Sequence, residues 1–371
     1  MISILEAKTK KEMNQFIMFP FELYKNDKTW VPPLIFDERN TFNRKKNPSF
    51  EFCEAAFFLA LKGNKVVGRV AAIINHKANE AWKEKRTRFG WIAFTDDPEV
   101  SKALLDAAQK WGEDKGMKGI HGPLGFTDLD PEGMQVEGFG NNASITSAHN
   151  YPYFPVHMEK HGFRKSVDWV QYKFNASQPI PDKVLRINKL ISQKYKVNTI
   201  VPKTKKEAMK YIPGFFKGVN EGFKNLYGYS QLSDKQIKYY TDAYFNLAKP
   251  ELLCFITDEN DRVVGFAICF PSLSKAFQKA KGRLFPFGFI HILKALRNYD
   301  EIDLYFNGVV PDWHNKGIHS LYYVTMNEVA IARNIKWAYS TGQLETNINA
   351  VGIWDNYDKE PYFRTRCYIK D

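Results

Sequence analysis

The sequence predicts an α/β (α+β) protein built from two similar halves. Two observations are local repeats. Lys8-Thr-Lys-Lys-Glu12 returns 195 residues later as Lys203-Thr-Lys-Lys-Glu207, and Val66-Val-Gly68 returns 197 residues later as Val263-Val-Gly265. The third is the order of elements between and after them, which is the same in both halves. Two repeats at nearly one spacing, in one order, indicate a duplicated domain, and so long a period excludes a solenoid.

Each half opens on a short β-like stretch, Ile2 to Glu6 and Val197 to Val201. Hairpins follow. Ala56 to Leu61 turns at Gly63-Asn64 and returns as Val66 to Ile74; Leu252 to Thr257 turns at Glu259-Asn260-Asp261 and returns as Val263 to Phe270. Gly and Asn are the residues tight hairpin turns require. The next strand of the first half is Phe89 to Phe94. A helix then starts with Asp97 as its cap and Pro98 at its first position, buries Val100, Leu104, Ala107, Ala108 and Trp111, and stops at Gly116. Strand Gly119 to His121, helix Tyr153 to Lys160 and strand Ser166 to Phe174 complete this half. The second half matches with strand Ile302 to Val310, helix Ile318 to Ala332, strand Trp337 to Ser340, helix Asn347 to Asp355 and strand Tyr362 to Ile369. The linker is read as Asn175 to Pro181, which places the domains at 1–175 and 182–371. Each half carries an insertion. The first is Gly-rich and acidic, Pro123 to Asn150, and is expected to be a solvated loop. The second, Ser272 to Asn298, is basic and holds the apolar run Phe285 to Leu293.

Composition narrows the function. Of 371 residues, 44% are hydrophobic, enough for real cores, and the net charge of +12 favours acidic partners such as nucleotides or phosphorylated cofactors. Cys53, Cys254, Cys269 and Cys367 lack CxxC spacing, so neither a disulfide framework nor a metal site is expected. No apolar run reaches the ~20 residues a spanning helix needs. The N-terminus turns charged at once, and a cytoplasmic location is expected.

The most informative stretch is Gly308 to Leu321. A strand ends at Pro311, a short loop carries Lys316 and Gly317, and a helix begins near Ile318. The first turn of a helix has no internal acceptors for its N–H groups, and the helix dipole adds partial positive charge there. Such a corner seats an anion, typically a phosphate. In the first half Asp96-Asp97-Pro98-Glu99 stands at the same place. Carboxylates stabilise a helix start but repel a diphosphate.

This element order and this loop resemble the GNAT superfamily of acyl-CoA N-acyltransferases, and the chain as a whole resembles tandem GNAT proteins of a bacterial group. The segments Gly282-Arg-Leu-Phe-Pro-Phe-Gly288, Gly133-Met-Gln-Val-Glu-Gly-Phe139 and Tyr151-Pro-Tyr-Phe-Pro155 carry the narrower likeness. The resemblance implies two tandem domains, each a mixed, mostly antiparallel twisted sheet flanked by helices. It also implies acetyl-CoA or another acyl-CoA as cosubstrate, its diphosphate seated on Val309, Val310, His314, Asn315, Lys316, Gly317, Ile318 and His319. His314 stands where the family has Gln or Arg, and His319 where it has a small residue. Asn347 matches the Asn that contacts the pantetheine arm. Trp354 replaces the Tyr that protonates the leaving thiolate, and an indole N–H cannot do so; Tyr357 is the substitute acid. A backbone N–H of Val309 or Val310 would meet the developing oxyanion. Glu345 is the first candidate base, with His314 and His319 as alternatives. The acidic insertion, with Asp128, Asp130, Glu132 and Glu137, is an alternative face for an amine.

The expected reaction is acyl transfer to a small-molecule or peptide amine in the C-terminal half. Two rivals stay open: a fold-preserving binding or regulatory protein without turnover, and a tRNA-dependent aminoacyl or peptidyl transferase drawing on Lys275, Lys279, Lys281 and Arg283. No RNA-binding signature supports nucleic acid as a partner. Homodimerisation is left open.

Overall fold

A computed structural model of the chain describes residues 1–245, 247–347 and 358–371. Its strands are β1 (Ile2–Glu6), β2 (Cys53–Lys62), β3 (Lys65–Asn75), β4 (Arg86–Phe94), β5 (Gly119–Gly122), β6 (Met134–Glu137), β7 (Arg164–Asn175), β8 (Asn198–Ile200), β9 (Leu253–Thr257), β10 (Val263–Pro271), β11 (Glu301–Val309), β12 (Trp337–Ser340), β13 (Gln343–Leu344) and β14 (Lys359–Lys370). They form one sheet in the order β1-β2-β3-β4-β5-β14-β7-β12-β11-β10-β9-β8, with β6 beside β14 and β13 beside β7. Among the described residues only β4–β5 and β11–β12 pair in parallel.

The repeated pentamers fold alike. Thr9 and Thr204 cap helices Lys10–Leu23 and Lys205–Gly222, accepting from the amides of Glu12 and Glu207. Each Glu reaches back to a backbone N–H, Lys8 at 2.8 Å and Lys203 at 2.7 Å. This is reciprocal capping of two otherwise orphaned donors. The repeated Val-Val-Gly also folds alike. Both copies carry a register shift in the hairpin. A Cβ on Gly68 would lie 2.7 Å from Leu104, and one on Gly265 would lie 3.0 Å from Ile318. Glycine here admits close approach of the long helix on that face, Pro98–Glu113 in the first half and His319–Ala332 in the second.

Strand alternation splits each half into two apolar layers. Phe57, Leu59, Ala71 and Ile73 pack with Phe16 and Ile17 of helix Lys10–Leu23. Phe58, Ala60, Val70 and Ala72 pack with Val100, Leu104 and Ala108 of helix Pro98–Glu113. In the second half, Leu253 and Phe255 face Phe215, Phe216 and Val219, whereas Cys254 and Ile256 face Leu321, Tyr322 and Met326. Each fully buried Leu or Phe contributes ~1.5–3 kcal/mol by transfer, so these layers, rather than surface charge pairs, set the fold.

The halves exchange their last strands. β14 pairs with β5 of the N-terminal half and with β7, while β7 pairs with β12 of the C-terminal half. The cores follow suit. Tyr368 of β14 lies among Phe89, Met158 and Phe163, and Phe174 of β7 lies with Ile302 and Ala338.

Two further features depart from the expectations. A helix, Asp182–Tyr195, follows the linker at once. The acidic insertion is not a free loop: residues 123–127 are buried and β6 pairs with β14. The basic insertion holds helices Ser274–Ala280 and Gly288–Arg297. Among the described residues no helix is long and apolar enough to cross a membrane.

Candidate functional site

β11 and β12 stay paired only from Glu301–Trp337 to Leu304–Ser340. Beyond that Thr341 turns back onto the carbonyls of Leu304 and Tyr305, and the last residues of β11 lose their neighbour. The Val310 amide donates to the Val264 carbonyl at 3.0 Å. Donors along a strand alternate sides, so the Val309 amide faces the opened edge. Val310 is therefore not available to an oxyanion, which corrects one of the two expected donors. The bond belongs to the duplicated scaffold: Thr95 donates to the Val67 carbonyl at 2.9 Å at the matching place.

After Pro311–Trp313 the chain makes the loop that leads into helix His319–Ala332. Asn315 and Gly317 both take positive φ, +61° and +75°. Among the described residues the amides of Asn315, Lys316, Gly317, Ile318 and His319 meet no acceptor, and Ile318 caps the helix with no side-chain bond. Left-handed residues between right-handed ones gather successive N–H groups into an anion-binding concavity. The Lys316 ammonium lies 4.2 Å from the Trp313 ring centre. His314 Nε2 lies 2.9 Å from the Val309 carbonyl oxygen. His319 is half-buried, and that burial holds its imidazole below the ordinary range.

Helix Asp182–Tyr195 closes one side of this corner. A Cβ on Gly317 would lie 2.7 Å from Ile191 Cδ1, and Asn188 exchanges two hydrogen bonds with Ser320. No spacing rule foretells this helix at that place.

Glu345 sits in a charge cluster. It meets Lys165 at 2.5 Å and Arg364 at 3.1 Å. Asp168, almost fully buried, joins the same two cations and Arg366. Bonds to Arg366 and Lys165 outweigh burial and hold Asp168 below the usual carboxylate range. The Glu345 carboxylate is thus already engaged by two cations. The Asn347 amide donates to the Leu344 carbonyl. The expected helix beyond it, with Trp354 and Tyr357, lies outside the described residues.

The N-terminal corner is built differently. The Asp97 side chain accepts from the Glu99 amide at 3.0 Å and pairs with Lys62 at 3.2 Å. The Glu99 amide bond, foremost, lowers the Asp97 pKa. Helix Tyr153–Lys160 then packs over the end of β4, with Phe154 stacked on Phe94 at 4.1 Å.

Sequence reading missed one constellation. A cavity of about 160 Å³ lies where β4 and β5 part, walled by Tyr24, Trp30, Ile92, Met134 and Phe277. Glu38, Arg69 and His149 also line it. Glu38 Oε2, Arg69 Nε and His149 Nδ1 are buried with no hydrogen-bond partner. The Glu38–Arg69 separation is 3.9 Å, and His149 Nε2 contacts Asp27 at 3.0 Å. Burial pushes Glu38 up to about 7, against the pull of Arg69, and pushes His149 down. Buried polar atoms are rarely left unpaired, so this cavity is chemically suited to a small polar ligand or ordered water. The residues come from distant segments with no shared spacing, so no sequence signal marks them.

No family model matches the chain. It is 26% identical to Protein YghO of Escherichia coli, over 97% of this chain and 93% of that one. It is 25% identical to the bacterial ceramide synthase of Caulobacter vibrioides, over 80% of this chain and 77% of that one. A tandem GNAT protein from the clavulanic acid biosynthesis pathway superposes with a TM-score of 0.57 at 9% identity, covering 100% of this chain and 98% of that one. A GCN5-related N-acetyltransferase from Sphaerobacter thermophilus gives 0.51 at 10% identity, covering 100% and 95%. The likeness to these structures is one of fold: with its large, mostly antiparallel mixed sheet flanked by helices, the chain has the tandem GNAT fold.

Proposed function

We propose that the protein is an acyl-CoA-dependent N-acyltransferase whose cosubstrate binds the C-terminal half, in a chain divided near residues 175–182. The observation that carries this reading is the run of unpartnered amides from Asn315 to His319 at a helix start, beside a parted strand pair. The diphosphate sits on those amides, with Lys316 adding charge. The thioester carbonyl points to the Val309 amide. The amine nitrogen attacks the carbonyl carbon, the C–N bond forms, and the C–S bond breaks to release the thiolate. The amine's proton passes to a base. Glu345 is committed to Lys165 and Arg364, so His314 and His319 are the nearer candidates on chemical grounds. A ceramide is the N-acyl derivative of a long-chain amine, so the relative of that name makes long-chain amines the acceptors to try first.

Calorimetric titration with acetyl-CoA and longer acyl-CoAs tests the reading. Binding that disappears in Gly317→Asp supports it, and undiminished binding in that variant overturns the location. Release of free thiol in the presence of amines then tests turnover. One observation favours a second reading, a binding protein without turnover: helix Asp182–Tyr195 already packs on Gly317. Acyl-CoA binding without thiol release from any amine would select it.

A further inference from the structure

The insertion from Ser272 to Asn298 holds six Lys or Arg residues and no carboxylate. Its second helix, Gly288–Arg297, buries Ile292 and Leu296 on one face. The preceding turn and the opposite face expose Phe285 (77%), Phe287 (68%), Ile290 (49%) and Leu293 (59%) to solvent. The Phe285 and Phe289 rings lie 5.8 Å apart, so the apolar surface is continuous there. Lys281, Arg283, Lys294 and Arg297 are exposed beside it, and among the described residues none of them has an ion-pair partner. Exposed aromatic groups this close together are uncommon on a free surface.

We infer that this face docks onto an anionic membrane surface. The charge pattern chooses the occupant. Apolar side chains flanked by unpaired cations, with no acidic residue in the segment, are the composition of a helix lying in the plane of a negatively charged bilayer. A second copy of this chain presenting the same face would bury these four cations with no carboxylate from either copy's segment to meet them. Docking also has a consequence for the cavity in the N-terminal half. Phe277 of the same insertion walls that cavity, Gln278 bonds the Trp30 carbonyl, and the Ile35 amide bonds the Gly282 carbonyl. A docked insertion therefore holds the cavity beside lipid headgroups. The inference does not rest on acyl transfer.

Co-sedimentation of the full chain with phosphatidylglycerol and phosphatidylcholine vesicles at low and high salt tests it. Binding to phosphatidylglycerol that weakens with salt, and little binding to phosphatidylcholine, is expected. Phe287→Ser/Leu293→Ser should lower the partition coefficient about tenfold or more, and Lys294→Glu/Arg297→Glu by a similar factor. Lys118→Glu/Lys160→Glu changes net charge equally at positions outside the insertion and should leave docking nearly intact. Both residues are exposed, and circular dichroism checks that every variant folds. Equal loss in that control would reduce the effect to bulk charge and overturn the inference. So would no binding to phosphatidylglycerol, or a solution dimer that Phe287→Ser/Leu293→Ser dissolves.

Discussion

The two helix starts that follow β4 and β11 occupy one place in a duplicated fold and are finished in opposite ways. At the first, Pro98 has no N–H, the Glu99 amide is taken by Asp97, and Phe154 stacks on the end of the strand. At the second, left-handed Asn315 and Gly317 turn the amides of Asn315 to His319 away from any acceptor. The first corner spends its donors on its own helix. The second leaves its donors unspent among the described residues. The difference lies in a few side chains, because the strands and their hydrogen bonds at Val67–Thr95 and Val264–Val310 are the same.

The largest expected effect tests whether the corners belong to independent halves at all. Tyr368 is fully buried in the core of the N-terminal half although it sits on the last strand. Tyr368→Ala should cost about 3–5 kcal/mol. Calorimetry should show one transition moving as a unit. Two separated transitions, with only the C-terminal one moved, would contradict the exchanged strands.

Next in size is Gly317→Asp. It places a carboxylate among the unpaired amides at a position of positive φ, with Ile191 in the way. Acyl-CoA affinity should fall at least a hundredfold, about 2.7 kcal/mol.

A smaller effect is a pH dependence. Asp303 is buried on β11, and burial raises its carboxyl to about 7. Its folded value lies above its unfolded one, so its contribution is full below about pH 4 and fades as pH rises through about 7. Asp303→Asn should flatten the fall in stability between pH 4 and 8. Denaturant midpoints measured across that range check it, and an unchanged slope would count against it.

The smallest effect sharpens the contrast between the corners. Asp97→Ala should cost about 1 kcal/mol of helix capping and leave acyl-CoA affinity unchanged. A gain or loss of affinity would bring the N-terminal corner into the site.

Much of this was legible in the sequence because it is local. Asp97-Pro98 announces a capped helix start, the repeated Val-Val-Gly marks a hairpin in each half, and Gly317 marks a loop between strand and helix. What failed to show depends on distant partners. Glu345 reads as a free base until Lys165 and Arg364 arrive from other strands. Val310 reads as a free donor until Val264 takes its amide. No element is read over 182–195 in the sequence, and nothing in helix Asp182–Tyr195 names Gly317 as the surface it covers.

The sequence by itself determined the duplication, the hairpins and the contrast between an acidic, capped helix start and a glycine-bearing one, since these follow from caps, turns and alternation within short stretches. Only the tertiary structure decided which half each final strand completes. It also decided which polar groups are already satisfied, and that Glu38, Arg69 and His149 meet at one cavity. The physical reason is that a strand's hydrophobic pattern selects a face and not a neighbour. The price of an unpaired buried group is set by whatever the rest of the chain brings to it.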